Sequence, residues 1–393
     1  MPIDDQPAAA PGPPGAAPEP ASADLLGIPR PRLAEILAPV VDRRFRVDQI
    51  YRALYDRGVC DFAEMTELGK ALRQRLAERF RVELPEIASR RESADGTVKY
   101  LLRLADGASV ETVDIPDGGR RTVCVSSQAG CALACRFCVT GYWGGGRNLT
   151  AGEILAQVLI VRRHKPGEAS PPAASGAEAE AEKSAALTGL NLVFMGMGEP
   201  LLNLDNLRAA LDILLERISK RRITVSTAGV IPGIEAMARW QRRPRLAISL
   251  HAPDDDRRSE IMPINKKYPL PDLIGTLRRY PLDPRDHLTF EYLLIRGFND
   301  APGDADAVAG LLRGLRAKVN LIPLNPDPVL GELRPPGAAG VQAFRQRLVS
   351  RGLVATVRQR RGDDVSAACG QLRAPEREPR GFPPVNLDSL PAR

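Results

Sequence analysis

From residue 117 onward, short apolar runs alternate with longer stretches in which apolar residues recur about every three to four positions. The short runs are predicted strands, which cover 122–127, 190–195, 222–227, 246–251, 288–295, 318–323 and 354–358. The periodic stretches are predicted helices, which cover 150–163, 203–218, 232–242, 271–280, 303–314 and 338–351. Repeated strand–helix units of this kind build a parallel sheet that is covered by helices.

Six strand–helix units are two fewer than a closed eight-stranded barrel requires. We therefore expect an α/β fold whose core, over residues 117–372, is a partial (βα)6 barrel of the TIM-barrel type. A barrel that stays open along one side could admit a macromolecular substrate. Ligands of such sheets bind at the carboxyl ends of the strands, so the side chains that follow each strand are the first candidates for a site.

Residues 25–90 have a helical pattern instead, which predicts an N-terminal accessory domain. One apolar helix face is formed by Val47, Ile50, Tyr51, Leu54 and Tyr55. The remaining faces carry the arginines Arg43, Arg44, Arg46, Arg52, Arg57, Arg73, Arg75, Arg79 and Arg81. Arginine on a helix surface usually serves solubility, but this density also indicates a domain that contacts RNA, and both interpretations stay open.

Two alternating segments on either side of Asp106-Gly107 predict a β-hairpin extension over residues 97–116, because Asp-Gly is a strong signal for a tight turn. Glu111 lies in the second strand of this hairpin. By itself it is interpreted as a surface carboxylate.

Three segments lack a periodic apolar pattern. Residues 1–24 are rich in proline and alanine and are predicted to be a disordered tail. Residues 164–187 form a low-complexity insertion after the first unit of the core. Residues 373–393 are predicted to be a loose C-terminal tail.

Composition narrows the class of protein. Hydrophobic residues make up 44% of the 393 residues, but no apolar run approaches the roughly 20 residues of a membrane span. The N-terminus lacks the pattern of a secretory signal, so we expect a cytoplasmic protein whose cysteines are reduced. The formal net charge of +7 favours a polyanionic partner without identifying it.

Three of the six cysteines, Cys131, Cys135 and Cys138, occur in the spacing C-x3-C-x2-C. Three thiolates on one short loop can hold a four-iron, four-sulfur cluster and leave one iron open, which suits chemistry better than structure. Zinc with a fourth ligand from elsewhere is the alternative. None of the three histidines of the chain lies near the loop, and zinc loops more often use paired C-x2-C units.

Polar residues follow several predicted strands and together describe a cofactor cradle at the carboxyl end of the sheet. Leu250 is included because it lies within Ser249-Leu-His251. The residues of the cradle are Gly198, Glu199, Ser226, Ser249, Leu250, His251 and Asn325. Glycine lets the backbone approach a ligand closely, and Glu199 can accept hydrogen bonds from an ammonium group. Each residue alone could equally well cap a helix.

Two further cysteines, Cys124 and Cys369, lie on the first predicted strand of the core and in a glycine-flanked loop near the C-terminus. They could be buried thiols or form a structural disulfide. In a reducing compartment a persistent disulfide is disfavoured, and a transient catalytic one is chemically reasonable.

The cysteine loop resembles the signature of the radical S-adenosylmethionine (SAM) superfamily, in which Phe137 matches a common aromatic position. Further motifs, spread over residues 25–372, resemble those of the RlmN/Cfr family within it. They are Cys124-Val-Ser-Ser-Gln-Ala-Gly-Cys131, Gly196-Met-Gly-Glu-Pro-Leu-Leu-Asn203, Ser249-Leu-His-Ala-Pro253, Pro263-Ile-Asn-Lys-Lys267 and Arg361-Gly-Asp-Asp with Cys369-Gly370.

This resemblance implies a partial radical SAM barrel and a role for each matching residue. Cys131, Cys135 and Cys138 would ligate a [4Fe-4S] cluster. The SAM contacts would be Gly198, Glu199, Ser226, Ser249, Leu250, His251 and Asn325. Cys369 would become S-methylcysteine during turnover, Cys124 would resolve the intermediate, and Glu111 would accept a proton.

The resemblance also implies a reaction and its partners. Two SAM molecules per turnover would methylate C2 of adenosine in 23S ribosomal RNA, at the peptidyl-transferase centre, and in tRNAs beside the anticodon. An external reductant would serve the cluster and the disulfide, no membrane would be involved, and the protein would be a monomer. Two alternatives remain: methylation of adenine C8, as by Cfr, and a non-catalytic, metal-stabilised RNA-binding protein.

Overall fold

The structure is a computed structural model that describes residues 23–164, 187–373 and 385–392. The predicted disordered tail and low-complexity insertion therefore lie almost entirely outside the described residues. None of the described helices is both long and apolar enough to cross a bilayer.

Twelve strands are present in the described part of the chain. They are β1 (Ala23–Asp24), β2 (Phe80–Arg81), β3 (Glu86–Glu92), β4 (Val98–Arg103), β5 (Ser109–Asp117), β6 (Arg120–Cys124), β7 (Leu190–Phe194), β8 (Ile223–Thr227), β9 (Arg245–Ser249), β10 (Leu288–Leu294), β11 (Ala317–Pro323) and β12 (Val354–Val357). β1 and β2 pair in parallel, and the other ten strands form one sheet in sequence order from β3 to β12.

The ten-stranded sheet has a parallel part and an antiparallel part. β6 to β12 are parallel neighbours, each joined to the next through at least one helix, as the strand–helix pattern predicts. β3, β4 and β5 continue the sheet as an antiparallel meander that pairs with β6. Among the described strands, β3 and β12 are the two edges, so the barrel is partial. Every residue of β10 is buried, as expected for a parallel strand with both faces covered.

Eleven α-helices accompany the strands in the described residues. They are α1 (Arg30–Leu37), α2 (Arg44–Arg52), α3 (Lys70–Arg79), α4 (Val139–Tyr142), α5 (Ala151–Arg163), α6 (Leu204–Leu214), α7 (Ile231–Ala238), α8 (Asp255–Ile261), α9 (Leu270–Arg279), α10 (Pro302–Leu311) and α11 (Ala338–Ser350). α5 begins with a capping box, in which the Thr150 hydroxyl accepts from the Glu153 amide and the Glu153 carboxylate accepts from the Thr150 amide.

The N-terminal region departs from its expected boundary. A helical pattern to residue 90 was expected, yet the helices end with α3, and β3 pairs antiparallel with β4. This segment carries few apolar residues, so its periodicity is weak; the free edge of β4 supplies the hydrogen-bond partners that make it a strand. The Asp106-Gly107 hairpin is present as β4 and β5.

The end of the chain also differs from the loose tail expected there. Residues 385–392 contact the core, where Leu390 is buried. The Lys267 ammonium donates to the carbonyl oxygens of Leu387 and Leu390, at 2.7 and 2.6 Å. A single apolar side chain and two backbone acceptors have no periodicity that a sequence pattern could reveal.

Candidate active site

The cysteine loop leaves the carboxyl end of β6 and is folded by backbone hydrogen bonds. The Cys131 amide donates to the Gly144 carbonyl at 3.1 Å, and the Cys138 amide donates to the Cys135 carbonyl at 3.0 Å. The Arg136 amide donates to the carbonyl of Ile261 at 2.9 Å, which fastens the loop to the end of α8. The three thiols are therefore presented together beside the carboxyl ends of the parallel strands.

Burial dominates the acidity of these thiols. It raises the pKa of Cys131 to about 12 and holds the pKa of Cys135 and of Cys138 above its ordinary value, and neighbouring thiolates raise the first two further. Without metal the thiols keep their protons, and iron must displace those protons to bind.

The loop can hold a cluster by the chemistry of its donors. In the described part of the chain, no three His, Cys, Asp or Glu side chains converge tightly enough to bind a single metal ion. Ligands of one zinc ion must meet at one point, whereas the thiolates of a four-iron cluster each bind a different corner of a cube. Three cysteines on an open loop are compatible with the second arrangement.

Glu199 is buried beside the carboxyl ends of β7 and β8. Its carboxylate oxygens accept from the amides of Leu201 and Ala228, at 3.0 and 2.7 Å. Burial raises its pKa to about 7, against the effect of these hydrogen bonds. A carboxylate has about four acceptor sites, so each oxygen can still accept from an ammonium group.

Gly198 precedes it with a φ of 93°, a conformation that favours glycine. A Cβ there would lie 2.5 Å from Cβ of Gln128, whose side-chain carbonyl accepts from the Glu199 amide at 2.8 Å. The absence of a side chain at Gly198 therefore lets its backbone approach Gln128, in the segment before the cysteine loop.

His251 follows β9 in a conformation that is rare for a residue with a side chain, with a φ of 59°. Such strain concentrates at functional sites. Nδ1 accepts from the Leu293 amide at 3.0 Å, so the proton of the neutral ring lies on Nε2. Burial lowers the His251 pKa to about 3, with a further contribution from Arg258, and the ring packs edge-on against Phe137 with centroids 4.7 Å apart.

The other predicted SAM contacts lie at the same end of the sheet. Ser226 is in β8, Ser249 ends β9 and Leu250 follows it, with its amide donating to the Glu291 carbonyl at 3.0 Å. Asn325 follows β11, and its side-chain oxygen is buried without a hydrogen-bond partner. A buried acceptor of this kind needs a donor, which a bound ligand could supply.

Cys369 is brought to this end by a loop that many hydrogen bonds fasten. Asn325 donates from Nδ2 to the Cys369 carbonyl at 3.0 Å. The Val139 amide donates to Gly370 at 2.7 Å, and the Thr140 hydroxyl donates to Leu372 at 2.7 Å. Both belong to α4, which follows the cysteine loop directly, so Cys369 lies beside the predicted cluster.

Cys124, Cys369 and Arg358 form a cluster of three interacting groups. Burial raises the Cys124 pKa to about 12, Cys369 raises it further, and the guanidinium of Arg358 opposes both. The largest influence on Arg358 is Cys369, which raises its pKa. Cys369 and Arg358 also line a cavity of about 70 Å³. The two thiols, both free in the structure, are therefore neighbours at the end of the sheet.

Glu111 is buried rather than exposed, contrary to its interpretation as a surface carboxylate. It is 3% exposed, and its carboxylate pairs with Lys99 at 3.0 Å and accepts from the Arg373 amide at 2.8 Å. Burial raises its pKa, and Lys99 acts in the opposite direction. The Lys99 ammonium also donates to the Ser366 carbonyl at 3.1 Å. The hairpin and the Cys369 loop thus share one buried ion pair.

Three charged residues of the site were not singled out as site residues from the sequence. Lys99 could have been suspected from its register, since it lies opposite Val113 in a hairpin strand that is otherwise mostly apolar. Arg358 belongs to the basic run Arg358-Gln-Arg-Arg361, which by itself indicates phosphate contacts, yet it lines a cavity together with Cys369. Arg258 sits in an ordinary polar helix sequence and gives no signal at all.

Comparison with known proteins identifies the family of the chain. Residues 23–82 match the family described as the ribosomal RNA large subunit methyltransferase N-terminal domain, and residues 171–305 match the radical SAM superfamily. A curated protein of Anaeromyxobacter dehalogenans, named dual-specificity RNA methyltransferase RlmN, is 46% identical over 89% of this chain and 92% of its own. The protein of the same name from Halorhodospira halophila is 45% identical over 91% and 95%.

A solved structure shares the fold. The crystal structure of a radical SAM methyltransferase from Sphaerobacter thermophilus has a TM-score of 0.80 and 42% identity, over 90% of this chain and 99% of that one. Proteins that share only a fold have lower sequence identity than this over nearly the whole length. The chain belongs to the RlmN family of the radical SAM superfamily.

Proposed function

We propose that this protein methylates C2 of adenosine in 23S ribosomal RNA and in tRNAs at the adenosine beside the anticodon. It is a radical SAM methyltransferase by family. The relatives named RlmN favour C2, and the observation that carries transfer through Cys369 is the Cys369 loop, which is hydrogen bonded both to α4 and to Glu111. It supports a reaction in which a mobile carbon on Cys369 meets a base and a second thiol.

The residues of the chain that would hold the cofactors have suitable chemistry. We assign Cys131, Cys135 and Cys138 as cluster ligands, and the strand-end residues from Gly198 to Asn325 as the SAM site. When bound, the [4Fe-4S] cluster and two SAM molecules supply an electron, a carbon radical and the methyl carbon. Burial raises the pKa of Glu199 to about 7, and its carboxylate can accept hydrogen bonds from the ammonium group of SAM.

Cys369 acts as the nucleophile that receives the methyl carbon, since a thiolate is the strongest nucleophile among protein side chains. Cys369 lines one cavity with Arg358. Adenine C2 is electron-poor, so direct polar methyl transfer to it fails. A carbon held on the Cys369 sulfur beside adenine is instead positioned to react at C2 as a radical.

After the carbon radical adds to C2 of adenine, the adduct must lose one electron and the C2 proton. The electron would go to the iron–sulfur cluster, and Glu111 accepts the proton. Its carboxylate is buried, its pKa is raised, and it is held 3.0 Å from the Lys99 ammonium. A base whose pKa is shifted upward by burial is better matched to proton abstraction near neutral pH. Lys99 opposes this upward shift and so favours the carboxylate form that can take a proton from the bound adenine.

Cys124 resolves the covalent adduct between Cys369 and RNA. Its thiolate attacks the Cys369 sulfur and forms an S–S bond, while the bond from that sulfur to the transferred carbon breaks. The electron pair stays with the carbon on adenine, which takes up a proton. An external reductant, which we propose as a partner, then reduces the disulfide.

RNA is the partner that the charge distribution favours. The chain carries a formal net charge of +7, and Arg43, Arg44, Arg52, Arg75 and Arg79 are exposed on the N-terminal helices. We propose that residues 25–90 contact RNA, and that the protein acts as a cytoplasmic monomer. Several basic runs of the core are engaged internally: Lys220 with Asp283, Arg242 with the Leu215 carbonyl and Arg361 with Asp117.

Two cysteine variants test this function. Cys369→Ala should take up iron and bind SAM but make no methylated RNA, because the carbon carrier is gone. Cys124→Ala should accumulate enzyme that is covalently bound to RNA through Cys369. The matched control is Cys60→Ala, a thiol between the N-terminal helices, which should methylate at the wild-type rate.

Mass spectrometry of nucleosides from the RNA product identifies the position of the methyl group. We expect 2-methyladenosine. Free, fully methylated RNA from Cys124→Ala would remove the resolving role. Appearance of 8-methyladenosine would assign the protein to the sister reaction.

A further inference from the structure

Arg258 is the largest side chain that is completely buried in the described part of the chain, at 0% exposure. Its guanidinium donates four hydrogen bonds. They reach the carbonyl oxygens of Leu250, Ser249 and Ala228 and the side-chain oxygen of Asn265, at 3.1, 2.8, 2.7 and 2.6 Å. None of these four acceptors is charged.

A buried cation with only neutral partners is costly, because hydrogen bonds to amides do not cancel its charge. Two groups that can carry negative charge influence it, first the Cys135 thiol, which keeps its proton without metal, and then the Asp255 carboxylate. The carboxylate of Asp255 already accepts from Asn265 and from the Leu270 amide, at 2.8 and 2.7 Å. The counter-charge of Arg258 is therefore incomplete in the protein alone.

The position of Arg258 indicates which group can supply the missing counter-charge. The residue lies on α8, and the last turn of that helix holds the cysteine loop through the hydrogen bond from Arg136 to Ile261. Its partners Ala228 and Ser249 lie at the carboxyl ends of β8 and β9. Arg258 thus stands between the proposed cluster loop and the strand ends proposed to bind SAM.

We propose that Arg258 is a positioning residue that supplies the counter-charge of the iron–sulfur cluster and raises its reduction potential. This inference rests on the proposed function, since it requires the cluster. Three thiolates make the ligated cluster negative, and reduction adds one more electron. A fixed positive charge nearby stabilises the reduced form more than the oxidised form, because the attraction grows with the charge.

The same guanidinium orients three backbone carbonyls at the strand ends. Charge and geometry can be separated by substitution. Arg258→Gln and Arg258→Met remove the charge and most hydrogen bonds, whereas Arg258→Lys keeps the charge and loses most of the donor pattern. A purely structural role predicts lost stability and an unchanged potential in all three.

The test is a redox titration of the anaerobically reconstituted protein, followed by electron paramagnetic resonance. Arg258→Gln and Arg258→Met should disfavour reduction at least tenfold, which is 59 mV for a one-electron couple. Arg258→Lys should stay close to the wild-type potential. The control is Arg257→Gln, on the same helix, whose guanidinium already pairs with Asp254 and Asp304 and should leave the potential unchanged.

A second variant covers the case in which the neutral variants do not fold. Asp255→Asn is nearly isosteric, keeps an oxygen that can accept from Asn265 and from the Leu270 amide, and removes a negative charge beside the guanidinium, so the potential should rise. Wild-type potentials in folded Arg258→Gln or in Asp255→Asn would overturn the inference. Wild-type protein that takes up no iron would instead refute the proposed function, which keeps the two failures apart.

Discussion

At the scale of single residues, the ionised form of Glu199 destabilises the folded state, because its carboxylate is buried. Its folded-state pKa of about 7 lies above the ordinary value of 4.5, chiefly because it is buried. Between these values the folded state binds more protons than the unfolded state. Stability therefore falls as pH rises through this window.

For the protein without its cluster, we expect the free energy of unfolding to fall by on the order of 3 kcal/mol between pH 4.5 and pH 7 from this residue alone. Glu199→Gln should flatten that part of the profile, since glutamine does not titrate. Urea unfolding at several pH values measures the difference. An equally steep decline in the variant would show that other groups are responsible.

His251 shows how a residue can be constrained from several sides at once. Its backbone is left-handed, its Nδ1 accepts from the Leu293 amide in β10, and its ring packs edge-on against Phe137 of the cysteine loop. The strained φ is compatible with a side chain only because these contacts over-determine it. The sequence motif indicated the residue, and the strain was visible only in the fold.

At the scale of elements, the hairpin is a structural support for the Cys369 loop. The Lys99–Glu111 pair is buried, and each partner also bonds the backbone of the loop that carries Cys369, at Ser366 and Arg373. Removing one partner of a buried pair leaves an uncompensated charge, which is more damaging than removing both.

Lys99→Met should therefore lower the free energy of unfolding by about 3–5 kcal/mol. The double variant Lys99→Met/Glu111→Gln should recover part of that loss, because no charge then remains buried. Denaturant unfolding compares the variants. The control is Arg103→Met, which breaks the exposed pair with Glu86 and should cost at most about 1 kcal/mol. A double variant less stable than the single one would contradict this account.

At the scale of the whole molecule, the N-terminal helices are fastened to the partial barrel at α5. The guanidinium of Arg162 donates to the carbonyls of Tyr55 and Asp56. Gly27, with a φ of 85°, lies against Gly152 in the first turn of α5. Two glycines in contact allow the backbones to approach more closely than any side chain would permit.

Gly152→Ala should loosen this junction. A Cβ there would lie 2.7 Å from the Leu26 carbonyl oxygen, so backbone must shift, and we expect a loss of about 1–3 kcal/mol despite the better helix propensity of alanine. Gly310→Ala in α10 is the control, since nothing lies within 4 Å of its added Cβ. That variant should be neutral or slightly more stable. Thermal unfolding of both proteins, compared with wild type, decides the matter.

The sequence by itself determined the repeating architecture and the chemistry of the cysteines. Strand and helix periodicity is a local property, so the parallel series from β6 to β12 and the Asp106-Gly107 hairpin could be predicted from it. The C-x3-C-x2-C spacing is also local, because one loop presents all three thiols. The family motifs extended this to the residues proposed for SAM.

Only the tertiary structure decided which distant groups meet. Cys369 reaches α4 and Glu111 through hydrogen bonds that span more than 200 positions, and Arg258 finds its carbonyl partners at the ends of two strands. β3 became a strand because a free edge was available, not because of its own pattern. Burial, partner and charge state are properties of the assembled fold, so a linear pattern contains no record of them.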